Sequence, residues 1–113
     1  MKKYSEERPW GKFEQFTHNE ISTVKIITVK PNKRLSLQYH NKREEFWRVI
    51  EGSGKVTVGD KVLKANKGDE FFIAVKQNHR IEGGKEGIVI LEIAFGNFDE
   101  NDIVRLEDDF GRN

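Results

Sequence analysis

The sequence predicts an all-β fold, a sandwich or closed barrel, and three observations carry that prediction. Apolar and polar residues alternate with a period of two along most of the chain, the alternating runs are short, and turn residues punctuate them at roughly ten-residue spacing. No stretch before residue 99 has a helical period. The run "ISTVKIITVK" (21–30) puts Ile21, Thr23, Lys25, Ile27 and Val29 on one face and Ser22, Val24, Ile26, Thr28 and Lys30 on the other. "RLSLQYH" (34–40), "EEFWRVIEG" (44–52), "KVTVGD" (55–60), "DEFFIAV" (69–75) and "GIVILEIAF" (87–95) follow as further strands. The turns between them are marked by "PNK" (31–33), "EGSG" (51–54), "GD" (59–60), "NKGD" (66–69) and "EGGKEG" (82–87). The last segment, "DENDIVRLEDDFG" (99–111), reads as a short helix or an irregular tail that packs Ile103, Leu106 and Phe110 onto the sheet.

A length of 113 residues suits one domain spanning 1–113, and eight phenylalanines give a chain of this size the bulk for one core. Twenty basic residues face 19 acidic ones in an interleaved pattern. Nucleic acid and anionic membranes both demand a net basic surface, so neither is expected as a partner. With no cysteine the chain has neither disulfides nor thiolate metal sites. No apolar run approaches the roughly 20 residues of a membrane span, and "MKKYSEERPW" lacks a signal-peptide core, which makes the cytoplasm the expected location.

Within this β pattern one group of residues carries chemistry. Residues two apart in a strand share a face, so Ser36, Gln38 and His40 point one way while Leu35 and Leu37 point the other. After a turn at Asn41–Lys42 the next strand carries Glu45, Trp47 and Val49 on one face, and an antiparallel hairpin brings Glu45 level with 38–40. His79, in "KQNHRIEGG", follows another strand and reaches the same place from a neighbouring strand of a closed barrel. Two imidazoles, one carboxylate and optionally the Gln38 amide oxygen make an N/O site for a divalent first-row metal, with a position open to water or substrate. His18, in the turn "FTHNE", has no such partners and is expected to be exposed.

The residues that make this site also carry a resemblance. "RLSLQYHNKREEFWRVIEGSGKV" followed by "KGDEFFIAVKQNHRIEGG" resembles the two-part signature of cupins, and "RPWG" (8–11), "VKPNKRLSLQ" and "DIVRLEDDFGR" narrow the likeness. They resemble the cupin domain of type II phosphomannose isomerases, which commonly accompanies a mannose-1-phosphate guanylyltransferase. The resemblance implies a jelly-roll barrel and interconversion of mannose 6-phosphate and fructose 6-phosphate. It also implies a metal, zinc foremost with iron, manganese, nickel or cobalt as alternatives, held by Gln38, His40, Glu45 and His79. The substrate class implied is a sugar phosphate or other small acid, and relatives of this size commonly form homodimers. Arginine suits a phosphate because its fork matches the oxygens. The candidates are Arg34 and Arg105, which lie in the most family-like stretches, followed by Arg80 and Arg112. Glu92, a carboxylate inside "IVILEIAF", is the candidate for proton handling.

Three positions depart from the family pattern. Lys42 stands two residues after His40, where a cupin of the usual form carries a second histidine, so it occupies the place of a ligand or proton carrier and joins the candidate catalytic positions. Phe46 replaces a histidine before the tryptophan, and Ala74 and Lys76 replace a proline and a glycine. Rival readings are a metal-containing module that binds a small acid without turnover, another cupin enzyme such as an epimerase or oxygenase, and a domain whose sheet serves dimerisation.

Overall fold

The computed structural model describes residues 1–113 and contains nine strands and no helix. They are β1 (Tyr4–Arg8), β2 (Gly11–Gln15), β3 (Ser22–Val29), β4 (Leu37–Tyr39), β5 (Glu45–Val58), β6 (Lys61–Asn66), β7 (Glu70–Ile73), β8 (His79–Phe95) and β9 (Val104–Glu107). β1 and β2 form a separate antiparallel hairpin whose turn holds Pro9 and an exposed Trp10. Ion pairs from Lys3 to Glu70 and from Arg48 to Glu14, with Phe16 against Phe46, fasten that hairpin to the body.

The long strands β5 and β8 organise everything else. Residues 45–48 of β5 pair with β7 and 45–52 with residues 88–94 of β8, whose other edge takes β3. Residues 53–58 of β5 pair with β6, and 54–58 with residues 79–83 of β8, which continues to β4 and then β9. Each long strand therefore serves two layers, and the ladder between them slips register between Val49 and Glu51 and again between Gly52 and Gly54. Two glycines permit that corner. A Cβ on Gly52, whose φ is +74°, would lie 2.3 Å from the Gly87 carbonyl oxygen, and one on Gly54 would lie 2.0 Å from that of Glu82.

The core lies between the layers and is built from the alternation: Val29, Trp47, Val49, Val56, Ala65, Ile73, Ile81, Ile88 and Ile90. On β3 the face with Ile27 and Val29 turns inward while Val24 and Ile26 are exposed. The C-terminal segment differs from the helix or tail the sequence suggested. Residues 104–107 add β9 antiparallel to β4, and Leu106 and Phe110 are exposed instead of packed on the sheet. A four-residue strand is too short to show a clear period, and its pairing partner lies more than sixty residues away, so local pattern does not reveal it.

Candidate metal centre

Gln38, His40, Glu45 and His79 meet between the two layers, where strands begin or end. Gln38 lies on β4 directly opposite His79, the first residue of β8, so their side chains share a face. His40 follows β4 by one residue, and Glu45 opens β5. The expected β4–β5 hairpin is absent. β4 pairs with β8 and β9, and Glu45 reaches the others across the interior. Three of the four are fully buried, His40 and His79 at 2% exposure and Glu45 at 1%.

Hydrogen bonds fix what each group offers. His40 Nδ1 lies 2.6 Å from the Asp102 carbonyl and His79 Nδ1 lies 2.9 Å from the Gln77 carbonyl. A carbonyl only accepts, so both Nδ1 atoms carry the proton and both Nε2 atoms present lone pairs. Those lone pairs face each other at 3.2 Å, with Glu45 Oε2 3.4 Å from His40 Nε2 and Glu45 Oε1 3.7 Å from His79 Nε2. Burial pushes the pKa of both imidazoles below the ordinary histidine range, which keeps them neutral and ligating. For Glu45, burial acts upward, but the hydrogen bond from Glu92, the two histidines and Arg43 outweigh it and hold the carboxyl below its usual range.

The donor set fits a divalent cation. Zinc bonds of about 2.0–2.1 Å in a tetrahedron separate neighbouring ligands by about 3.3–3.4 Å; the two imidazole nitrogens lie 3.2 Å apart, each has a Glu45 oxygen within 3.7 Å, and one donor atom from each of the three residues lies within 4.8 Å of the others. The Gln38 amide completes the ring, its Nε2 3.4 Å and 3.5 Å from the two imidazole Nε2 atoms and its Oε1 accepting from the buried Ser36 hydroxyl at 2.6 Å. A half-turn of the amide would present oxygen to a cation, and the Ser36 hydroxyl can then accept instead of donate.

The family described as "Mannose-6-phosphate isomerase C-terminal" matches residues 2–108, nearly the whole chain. The chain belongs to this family. Among curated relatives, the xanthan biosynthesis protein XanB of Xanthomonas campestris pv. campestris is 40% identical over 93% of this chain and 23% of its own length. The mannose-1-phosphate guanylyltransferase ManC of Salmonella typhimurium is 37% identical over 93% of this chain and 22% of its own. The chain thus spans less than a quarter of these relatives. Among solved structures, oxalate decarboxylase of Bacillus subtilis, which has Mn(II) centres, superposes with a TM-score of 0.71 at 27% identity over 77% of this chain and 24% of its own. A cupin 2 conserved barrel domain protein of Rhodopseudomonas palustris, at TM-score 0.66 and 17% identity, covers 76% of this chain and 60% of its own and shows the same barrel. The fold of this family member is the cupin barrel.

Not all the predicted positions gather at the centre. Lys42 is exposed in the turn, its backbone N–H donating to Asp102 Oδ2. β4 ends at Tyr39, so its alternation does not extend to 42, and the residue that joins His40 in the cluster lies two before it, Gln38. Arg34 is half-exposed and paired through both nitrogens with Asp109. Arg80 donates to the Leu35 carbonyl and to Glu107, and Arg112 pairs with Asp108. Glu92 is buried against Glu45, and burial, followed by the Glu45 charge, pushes its pKa up to about 8. His18 is exposed as expected.

The structure adds Arg43, Asp102 and Phe98. Arg43 is buried with Nε 3.1 Å from Glu45 Oε2 and Nη2 3.2 Å from His40 Nε2, while Nη1 donates to the Asp99 carbonyl. Its guanidinium lies 4.4 Å from the Phe98 ring centre, and Lys25 approaches the same ring at 4.3 Å. Asp102 accepts from His40 through its carbonyl and from the Asn41 and Lys42 N–H groups through its carboxylate. A sequence signal existed for Arg43, since it shares the period-two face of Glu45 and Trp47. None existed for Asp102 or Phe98, whose loop is distant in the chain.

Proposed function

We propose that this chain is a divalent-metal-dependent aldose–ketose isomerase domain acting on a hexose 6-phosphate, with mannose 6-phosphate and fructose 6-phosphate as the pair. The observation that carries the reading is the buried cluster of Gln38, His40, Glu45 and His79 with both imidazoles locked as Nε2 donors. Membership of a family described by that isomerase supports it. Zinc is the proposed metal, since two imidazole nitrogens and a carboxylate oxygen suit it, with the Gln38 amide oxygen as a fourth donor once the amide turns. When bound, the metal supplies Lewis-acid polarisation of a sugar oxygen.

The remaining work falls to the chain. Asp102 and Gln77 hold the two imidazole rings in orientation through their carbonyls. Trp47 donates its indole N–H to Glu45 Oε1 at 3.2 Å and packs edge-on against His79 with ring centres 5.5 Å apart, which covers the inner side of the cluster. Arg43 offsets the Glu45 charge and places its Nη2 3.2 Å from His40 Nε2. The Glu45–Glu92 pair holds one proton between two carboxyl groups, a store next to where a substrate proton must leave one carbon and rejoin its neighbour.

A coupled assay for fructose 6-phosphate formation, with wild type and His79→Ala, tests the proposal. Turnover abolished by the substitution supports it. Absent turnover in metal-loaded wild type, with sugar phosphate still bound, replaces it with the binding-module reading.

A further inference from the structure

Of the seven arginines, six lie within 4.0 Å of a carboxylate: Arg8, Arg34, Arg43, Arg48, Arg80 and Arg112. Arg105 has no such partner, and its Nε is fully buried without any hydrogen-bond acceptor. It is the one buried side-chain polar atom of the molecule so left. Burying an unpaired donor of a charged group is costly, and an anion that accepted from this N–H would offset that cost.

The unpaired N–H lies in line with the metal cluster. Arg105 on β9 lies directly opposite Gln38 on β4, and Gln38 lies directly opposite His79 on β8. Opposed residues in antiparallel strands send their side chains to the same face, so His79, Gln38 and Arg105 form one row across three strands on the face of the metal cluster. Two strand spacings, roughly 9–10 Å, separate the backbone positions at the ends of that row. A ligand lying along it gives oxygens to the metal at one end and an anionic group to the guanidinium at the other.

We infer that Arg105 is the anion anchor of this site, binding the phosphate of a small molecule whose far end reaches the metal cluster. The inference deepens the isomerase reading and rests on it for the identity of the sugar, but the anion subsite itself stands on Arg105 and the row. The neighbouring arginines do not share the task, because Arg34, Arg80 and Arg112 already pair with Asp109, Glu107 and Asp108.

Isothermal titration of the zinc-loaded full chain tests it, with mannose 6-phosphate, inorganic phosphate and unphosphorylated mannose as probes. Arg105→Gln should weaken mannose 6-phosphate by about 10- to 100-fold, the worth of a hydrogen bond to a charged group, with zinc content unchanged. Arg105→Lys should recover part of that loss, and Arg112→Gln should leave affinity within about twofold, as for an exposed charge. Equal affinity of wild type and Arg105→Gln, or no binding of either phosphate probe to wild type, overturns the inference. Should Arg105→Gln not fold, the Arg105 Nε–H resonance of wild type provides the readout. A shift that saturates with phosphate supports the anchor, and an unmoved resonance under saturating ligand removes it. Arg105-dependent binding without isomerisation retains the anchor and rejects the isomerase, whereas isomerisation unaffected by Arg105→Gln does the reverse.

Discussion

Glu45→Gln is the most informative single change at the centre, because it keeps the shape and removes the charge. Glu45 is 1% exposed and receives Arg43 Nε at 3.1 Å and the Trp47 indole at 3.2 Å. Arg43 is itself 8% exposed, so its guanidinium would face a neutral amide in a nearly dry site. Removing one partner of a buried pair costs about 3–5 kcal/mol. Arg43 keeps the hydrogen bond it donates to the Asp99 carbonyl and its contact with the Phe98 ring, which places the expected loss near the lower end, about 3 kcal/mol. Urea denaturation of the metal-free variant should therefore show that loss at an unchanged m-value. The same substitution deletes the anionic ligand, so zinc retention through gel filtration should fall well below that of wild type. A variant with wild-type stability and wild-type zinc content would refute both the buried pair and the assignment of Glu45 as a ligand.

Three further outcomes follow from the same geometry. Zinc at 100 times its dissociation constant should add about 2.7 kcal/mol to wild-type stability, which a thermal shift detects, and His79→Ala should abolish that shift while remaining folded. Glu92 has a folded pKa of about 8, above its ordinary 4.5. A raised carboxyl contributes stability that is present below the ordinary value and lost as pH climbs through the folded one. Metal-free wild type should accordingly lose stability between pH 4.5 and about 8, and Glu92→Gln should flatten that decline in denaturant titrations; an equally steep slope in the variant would contradict the buried carboxyl pair. Gly52→Ala, forced into φ +74° with its Cβ 2.3 Å from the Gly87 carbonyl, should lower stability by at least about 2 kcal/mol or prevent folding.

How far the sequence revealed these features depended on how local their causes are. Period-two alternation in "ISTVKIITVK" and "EEFWRVIEG" reports directly on which side of a strand meets the core, and Trp47, Val49 and Glu45 are all buried on the inward face. His40 and Glu45 were legible for the same reason, since 38 and 40 share a face and Glu45 opens the next strand, whereas the resemblance was needed to make Gln38 a full member of the set with His79. The route by which they meet was not. The partner of β4 is β8, forty residues on, and no local pattern encodes that pairing. Lys42 was singled out by its place in the family pattern, and that placement could not say that β4, three residues long, ends before it and leaves its side chain in an exposed turn. Glu92 lies in a run apolar on both faces, where the pattern cannot say whether a lone carboxylate meets water or another carboxyl. The carbonyl of Asp102 that orients His40 is a backbone group, whose role no side-chain pattern announces.

The claim on which the account stands is that Gln38, His40, Glu45 and His79 hold a divalent metal. Elemental analysis of the purified chain after zinc loading and desalting, beside a His40→Ala/His79→Ala double variant, measures it most directly. The account predicts one equivalent of metal per wild-type chain and none in the variant. A wild-type chain that retains no stoichiometric metal, or a variant that retains as much as wild type, would contradict it.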